Sequence, residues 1–161
     1  MRILIASDTH RKNNNFLSII EKQKPLDLLI HCGDAEGSEY ALSKAADCPS
    51  HFVTGNNDFF SRLPQEVEIV LGEHKIMVAH GHTYGVMMGN ERLKEEAKSR
   101  GADLVLYGHT HKPIIDRSDK RIIAVNPGSL SYPRQDNRKP SYIMMEIDEE
   151  DEYHFTIVYL S

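Results

Sequence analysis

The chain has 161 residues, 40% hydrophobic and 27% charged, enough to bury a core without disulfides or a structural metal. With 19 basic and 24 acidic side chains the formal charge is −5, so no overall field draws nucleic acid, and general nucleic-acid binding is not expected. The two cysteines, Cys32 and Cys48, form no CxxC pair, which excludes zinc-ribbon and thioredoxin-like readings.

No run approaches the roughly 18 apolar residues of a membrane span, and the opening apolar run is too short for a signal peptide. The expectation is one cytoplasmic, non-membrane domain over residues 1–161 with reduced thiols. In chain order, an apolar strand is expected over residues 2–7. A helix follows over 15–23, where Phe16, Ile19 and Ile20 share a face and Pro25 ends the run. Residues 26–32 read as a buried strand holding Cys32, 38–46 as a short helix stopped by Pro49, and 51–54 as a third strand. Residues 66–71 and 75–79 suggest a hairpin around Gly72, Glu73 and His74. A helix over 90–100 has Gly101 as its stop, and 103–107 is another buried strand. Two further hairpins are expected, 112–117 with 121–125 around Ser118 and Asp119, and 142–147 with 153–160 around the acidic turn 148–152. Alternating strands and helices followed by hairpins point to an α/β fold with mixed sheets flanked by helices.

Nine histidines is a high count, and their placement is not random. Five apolar strand candidates each run into a metal-ligating residue: Asp8 (then His10), Asp34, Asn56, His80 (then His82) and His109 (then His111). In α/β sheets ligands bind beyond the carboxyl ends of strands, so these groups can converge on one cleft. Residues at i and i+2 on extended backbone point to the same side, so Asp8-x-His10 and His109-x-His111 can each present two groups. Mixed imidazole and carboxylate ligands suit Mn, Fe, Zn, Ni or Co better than Ca or Mg alone.

Taken together, Asp8-x-His10, Gly33-Asp34, Gly55-Asn56-x-Asp58, His80-Gly81-His82 and Gly108-His109-x-His111 resemble the signature of the calcineurin-like metallophosphoesterases. Asn126-Pro127-Gly128-Ser129 resembles the small YfcE/YsnB-type phosphodiesterase branch. The resemblance implies a two-sheet β-sandwich flanked by helices and two divalent transition-metal ions, Mn first, with Ni, Zn, Fe or Co as alternatives. Asp8, His10, Asp34 and His111 would hold one metal, and Asp34, Asn56, His80 and His109 the other, with Asp34 bridging. A hydroxide between the metals would attack a phosphodiester. Many family members carry His after the ligand Asn; here it is Asn57, which cannot act as a general acid. The candidate catalytic residues are therefore Asp34, Asn57 and His82, with His82 the alternative proton donor.

Plainer roles are expected elsewhere. His31 reads as a satisfied core residue, His51, His74 and His154 as surface residues, and Asp58 as a residue that orients its loop. Tyr84, Met87 and Met88 are expected to pack the following helix. Among the basic residues of the last third, Arg134 is a candidate phosphate contact and the rest are solvated. The expected partner is a small phosphate ester. A phosphomonoesterase acting on nucleotides or small phosphates is the alternative enzyme. A protein-binding scaffold, as in the retromer subunit that shares this fold, is the alternative outside enzymes. An all-antiparallel last third would leave edges able to pair in a homo-oligomer.

Overall fold

Strand β1 (Arg2–Ala6) is buried on both faces, because it lies at the centre of a sheet covered on both sides. The structure is a computed structural model that describes residues 1–161. Along β1 the period-two backbone sends Ile3 and Ile5 to one face and Leu4 and Ala6 to the other. Helix α1 (Asn14–Gln23), strand β2 (Leu28–His31), helix α2 (Glu39–Ala46) and strand β3 (Ser50–Phe52) follow, with β1, β2 and β3 parallel. The last two strands, β9 (Ser141–Ile147) and β10 (Tyr153–Tyr159), return as a hairpin. They complete the first sheet in the order β10-β9-β1-β2-β3.

The middle of the chain builds the second sheet. Strands β4 (Glu66–Leu71) and β5 (His74–Ala79) pair antiparallel, and helix α3 (Glu91–Ser99) crosses over to β6 (Leu104–Leu106), parallel to β5. Strands β7 (Pro113–Asp119) and β8 (Ile122–Pro127) complete the order β4-β5-β6-β8-β7. Ile3, Ile5, Leu28 and Ile30 of the first sheet pack against Ile76, Val78, Leu104 and Leu106 of the second. The outer face of the first sheet is covered by α1 and α2 through Phe16, Ile20 and Leu42. That of the second is covered by α3 through Leu93 and Ala97. The expected two-sheet α/β sandwich flanked by helices is the fold observed.

Several local expectations shift. His74 opens β5 rather than sitting in the turn, half-buried, with Nδ1 against Asp103 and its ring 3.9 Å from that of Tyr153. His51 is also half-buried, at the middle of β3. The turn expected at Ser118 and Asp119 falls at Lys120 and Arg121. Asp116 accepts hydrogen bonds from the Ser118 amide and hydroxyl, which bulges β7 and carries the strand two residues further. The last third is not all antiparallel: β8 pairs parallel with β6, and the two late hairpins belong to different sheets. Met87 and Met88 do not pack α3. The segment after the 3₁₀ turn His82–Tyr84 points Val86 inwards and leaves Met88 94% exposed.

The sheet interface sets the stability scale, since each fully buried Leu or Ile contributes about 1.5–3 kcal/mol. Leu104→Ala, at a fully buried position between the sheets, is expected to lower the unfolding free energy by about 2–5 kcal/mol. Val70→Ala, exposed on edge strand β4, is expected to change it by less than about 0.5 kcal/mol. Urea unfolding midpoints of the two variants check the contrast.

Candidate metal centre

The carboxyl ends of β1, β2 and β3 in one sheet, and of β5 and β6 in the other, open towards the same cleft, and the sequence-derived ligands lie just beyond them. Asp8, His10 and His111 form one group whose ligating atoms lie within 4.8 Å of one another; Asp8, Asp34 and His80 form a second. Asp8 is common to both. Its side chain is wholly buried and that of Asp34 nearly so. Asn56 stands at the rim of the second group, with Oδ1 3.1 Å from His80 Nε2. The His109 ring lies 5.2 Å from that of His80 and 6.0 Å from that of His82, outside both groups.

The pairs at i and i+2 converge by a different route from extended backbone. Asp8, His10, Asp34, His109 and His111 all have positive φ, between 47° and 68°. A left-handed conformation costs a non-glycine residue about 1–2 kcal/mol, so five of the seven candidate ligands are held in a conformation they would leave if released. The strain is retained by a dense set of hydrogen bonds. The Asp58 carboxylate accepts from the backbone N–H groups of Asp34 (2.8 Å), Glu36 (2.6 Å) and Gly55 (2.7 Å), which is the loop-orienting role expected of it. The Ser129 hydroxyl donates to the Asp8 carbonyl (2.8 Å), and Asn126 Nδ2 donates to the Gly108 carbonyl (2.8 Å). The Asn126-Pro127-Gly128-Ser129 segment thus clamps the loops that carry Asp8 and His109. Gly55 must be glycine, since a Cβ there would collide with the Asp34 carboxylate and backbone.

Each facing imidazole is oriented from behind. His80 Nδ1 donates to the Cys32 carbonyl (2.6 Å), His111 Nδ1 to the Tyr132 carbonyl (2.7 Å) and His10 Nδ1 to Glu36 (2.7 Å). These bonds turn the Nε2 atoms to the cleft, the arrangement that fixes a metal-binding histidine. The Asp34 carboxylate accepts from the Asn57 backbone (2.9 Å) and from its side-chain amide (2.8 Å). Glu36, two residues after Asp34, escaped the sequence reading although it repeats the i, i+2 spacing. The carbonyls of Cys32 and Tyr132 carry no sequence signal at all. Elsewhere, His31 is satisfied in the core by Thr9 and the Gly33 amide and stacks on Phe52. Burial pulls its pKa down to about 4, so it is neutral.

These residues fit a divalent cation. Asp8 Oδ1 is buried without a hydrogen bond, yet three Nε2 atoms surround it: His111 at 3.1 Å, His10 at 3.6 Å and His80 at 3.8 Å. His10 Nε2 and His111 Nε2 lie 3.3 Å apart, too close for two lone pairs with no proton or cation between them. Asp34 Oδ2 lies 3.4 Å from His80 Nε2 and 3.8 Å from His10 Nε2. Without a cation, protons take its place. Burial opposes charge on both Asp8 and Asp34, but the close, charged histidines, with Asn57 hydrogen bonds at Asp34, outweigh it; Asp8 falls well below the carboxylate range and Asp34 to about 2. Burial also opposes charge on His10, but Asp8 and Glu36 raise its pKa to about 9, and His80 is raised by Asp34 and Asp8 in the same way. Burial and the neighbouring His80 charge lower both His82 and His109.

A histidine raised on folding adds stability that is complete below its unfolded pKa of 6.5 and is lost as pH rises through its folded value. The metal-free protein is therefore expected to lose unfolding free energy between pH 6.5 and about 9, with Glu36→Gln moving that loss to lower pH. Denaturant midpoints in chelator across this window test it, and superimposable wild-type and Glu36→Gln profiles would contradict it. Loss of the Asp58 clamp, in Asp58→Ala, is expected to weaken divalent-metal affinity by about 10–100-fold. Calorimetric metal titration gives that number directly.

Residues 1–150 match the calcineurin-like phosphoesterase superfamily domain. The chain is 33% identical to the probable metallophosphoesterase YsnB of Bacillus subtilis, over 93% of this chain and 86% of that protein. It is 27% identical to the phosphodiesterase MJ0936 of Methanocaldococcus jannaschii, over 80% of this chain and 83% of that protein. The fold also matches the zinc complex of Entamoeba histolytica Vps29, with a TM-score of 0.77 at 22% identity over 99% of both chains. A shared domain along nearly the whole sequence, with every motif position at one cleft between two sheets, leaves one conclusion: the chain belongs to the calcineurin-like phosphoesterase superfamily.

Proposed function

We propose that this metallophosphoesterase is a binuclear phosphodiesterase acting on a small phosphate ester. The observation that supports the reading is a pair of adjoining ligand groups, Asp8-His10-His111 and Asp8-Asp34-His80, with Asp34 Oδ2 3.8 Å from His10 Nε2 and 3.4 Å from His80 Nε2. The relative MJ0936, named a phosphodiesterase, supports the diester preference. Asp8, His10, Asp34 and His111 would hold one cation, and Asp34, Asn56, His80 and His109 the other. Mn is the first choice, and Ni, Zn, Fe or Co suit the same mixed donors. Cations held there would supply charge neutralisation at the phosphoryl oxygens and would lower the pKa of a water towards neutral.

The chain's own residues do the rest. Asp34 lies between His10 and His80, and Asn57 holds both of its oxygens, so Asn57 acts by positioning this carboxylate. An amide committed in that way gives no proton to a leaving group. His82 is the imidazole left over: its Nδ1 is buried without a partner, and its ring lies 5.4 Å from that of His80. Its lowered pKa makes its protonated form, though a smaller fraction, a stronger acid than free imidazolium towards a basic leaving oxygen. Two free cysteines, one deeply buried, suit a reducing compartment, and the reading places the protein in the cytoplasm.

A protein-binding role is the second reading. It draws on the exposed Met87, Met88 and Ile114, which border a groove of about 560 Å³ beside the ligand loops.

Metal-stripped protein given back Mn, Ni or Zn is expected to hydrolyse bis(p-nitrophenyl) phosphate faster than p-nitrophenyl phosphate. The reverse order would make it a phosphomonoesterase, and no turnover of either ester would favour the binding role. Asp34→Ala is expected to cut diester turnover at least about a hundredfold. His82→Ala is expected to slow an alkyl diester while sparing the nitrophenyl diester, whose leaving group needs no proton. Equal effects on the two would remove His82 from proton transfer.

A further inference from the structure

The cleft holding His10 and His111 extends, with a volume of about 530 Å³, beyond the ligands to Arg134 and Arg138. Its charges are unevenly matched. Glu36 is its one carboxylate, and His10 takes it up at 2.7 Å. Neither Arg134 nor Arg138 has a carboxylate within 4.0 Å or donates a side-chain hydrogen bond, and of the unpaired arginines these two line the cleft that holds His10 and His111. Two arginines without a carboxylate partner therefore line the same cleft as the candidate metal ligands.

Both side chains are exposed, on a loop whose backbone is braced. The Arg134 backbone N–H donates to the His111 carbonyl (3.0 Å), which ties this arginine to a candidate ligand. Arg138 sits in the left-handed region at φ 52°, and its N–H donates to the Gln135 carbonyl (3.0 Å). Gln135 Nε2 braces the same loop by donating to Asn137 Oδ1 (2.8 Å) and the Lys139 carbonyl (2.6 Å). A costly backbone conformation in a braced loop, carrying a planar five-donor cation to the mouth of a cleft, is a geometry for receiving an anion.

A simple diester carries a single negative charge, and the centre of the cleft would take it. We infer that Arg134 and Arg138 form a subsite for a second, terminal phosphate on one arm of the substrate. The substrate class is then a phosphodiester with a phosphomonoester on its leaving or retained arm, such as a phosphorylated nucleotide diester. This assignment rests on the phosphodiesterase reading above.

The test uses thymidine 5′-(p-nitrophenyl phosphate) with and without a 3′-phosphate, both followed by nitrophenol release from the metal-loaded full chain. The wild type is expected to favour the 3′-phosphorylated ester by about tenfold or more in kcat/KM, chiefly through KM. In Arg134→Ala/Arg138→Ala that ratio is expected to fall towards one. A wild-type ratio of one overturns the subsite. A double variant that slows both esters equally also overturns it, because the arginines would then act on the reacting phosphoryl group itself. A second readout needs no turnover: calorimetric binding of thymidine 3′,5′-bisphosphate and thymidine 5′-phosphate to the metal-free chain. The bisphosphate is expected to bind about tenfold tighter, and that advantage is expected to vanish in the double variant. If neither ester is hydrolysed with any metal, the phosphodiesterase reading fails while this binding comparison still decides the subsite.

Discussion

Two carboxylates, Asp8 and Asp34, lie almost wholly out of water where the ends of two sheets meet. An isolated buried carboxylate is so unfavourable that something must neutralise it. Here the neutralising groups are imidazoles delivered from β1, β5 and the loop after β6, with backbone amides and Asn57 behind them. Much of the local structure follows from that requirement. The carbonyls of Cys32 and Tyr132 turn His80 and His111 inwards, and Asp58 gathers the amides that shape the Asp34 loop. The extra histidine protons of the metal-free chain and the cations of a loaded one answer the same electrostatic demand.

Much of this was legible in the sequence, because the underlying patterns are strong. Apolar runs ending in Asp8, Asp34, Asn56, His80 and His109 marked both the strands and the cleft at their ends. Helix α1 was readable from its periodicity and Pro25, and α3 from its Glu and Lys content and Gly101. The illegible parts have physical reasons. Whether β8 would pair parallel with β6 depends on a crossover that local propensity does not encode. The β7 turn moved because an Asp116 side chain bonded its own strand, a competition that turn composition does not reveal. Glu36 and the orienting carbonyls act through partners distant in sequence.

The i, i+2 spacing of the candidate ligand pairs pointed to one cleft, where the structure brings them together, but through an incomplete geometric picture. Extended backbone would project the two side chains in parallel. The observed left-handed turns at Asp8, His10, His109 and His111 bend the chain around the centre instead. Asp and His tolerate that region better than bulky or β-branched residues do, so the ligand chemistry and the backbone shape favour the same residue types. Ser129, reaching the Asp8 carbonyl from 121 residues away, shows how the rest of the fold keeps these turns from relaxing.

The cleft also divides its residues between two sheets that pack through their inner faces. Asp8 and Asp34 come from the first sheet, and His80, His109 and His111 follow strands of the second. Neither sheet alone contains either ligand group complete, so a chain with its sheets undocked has no high-affinity seat. A cation at this seam would act as a non-covalent rivet between the layers, raising the free energy of any opening that parts them by RT ln(1 + [M]/Kd). Occupancy would then report on the integrity of the whole sandwich, and amide protons deep in β1 and β6 would exchange more slowly in proportion to metal concentration.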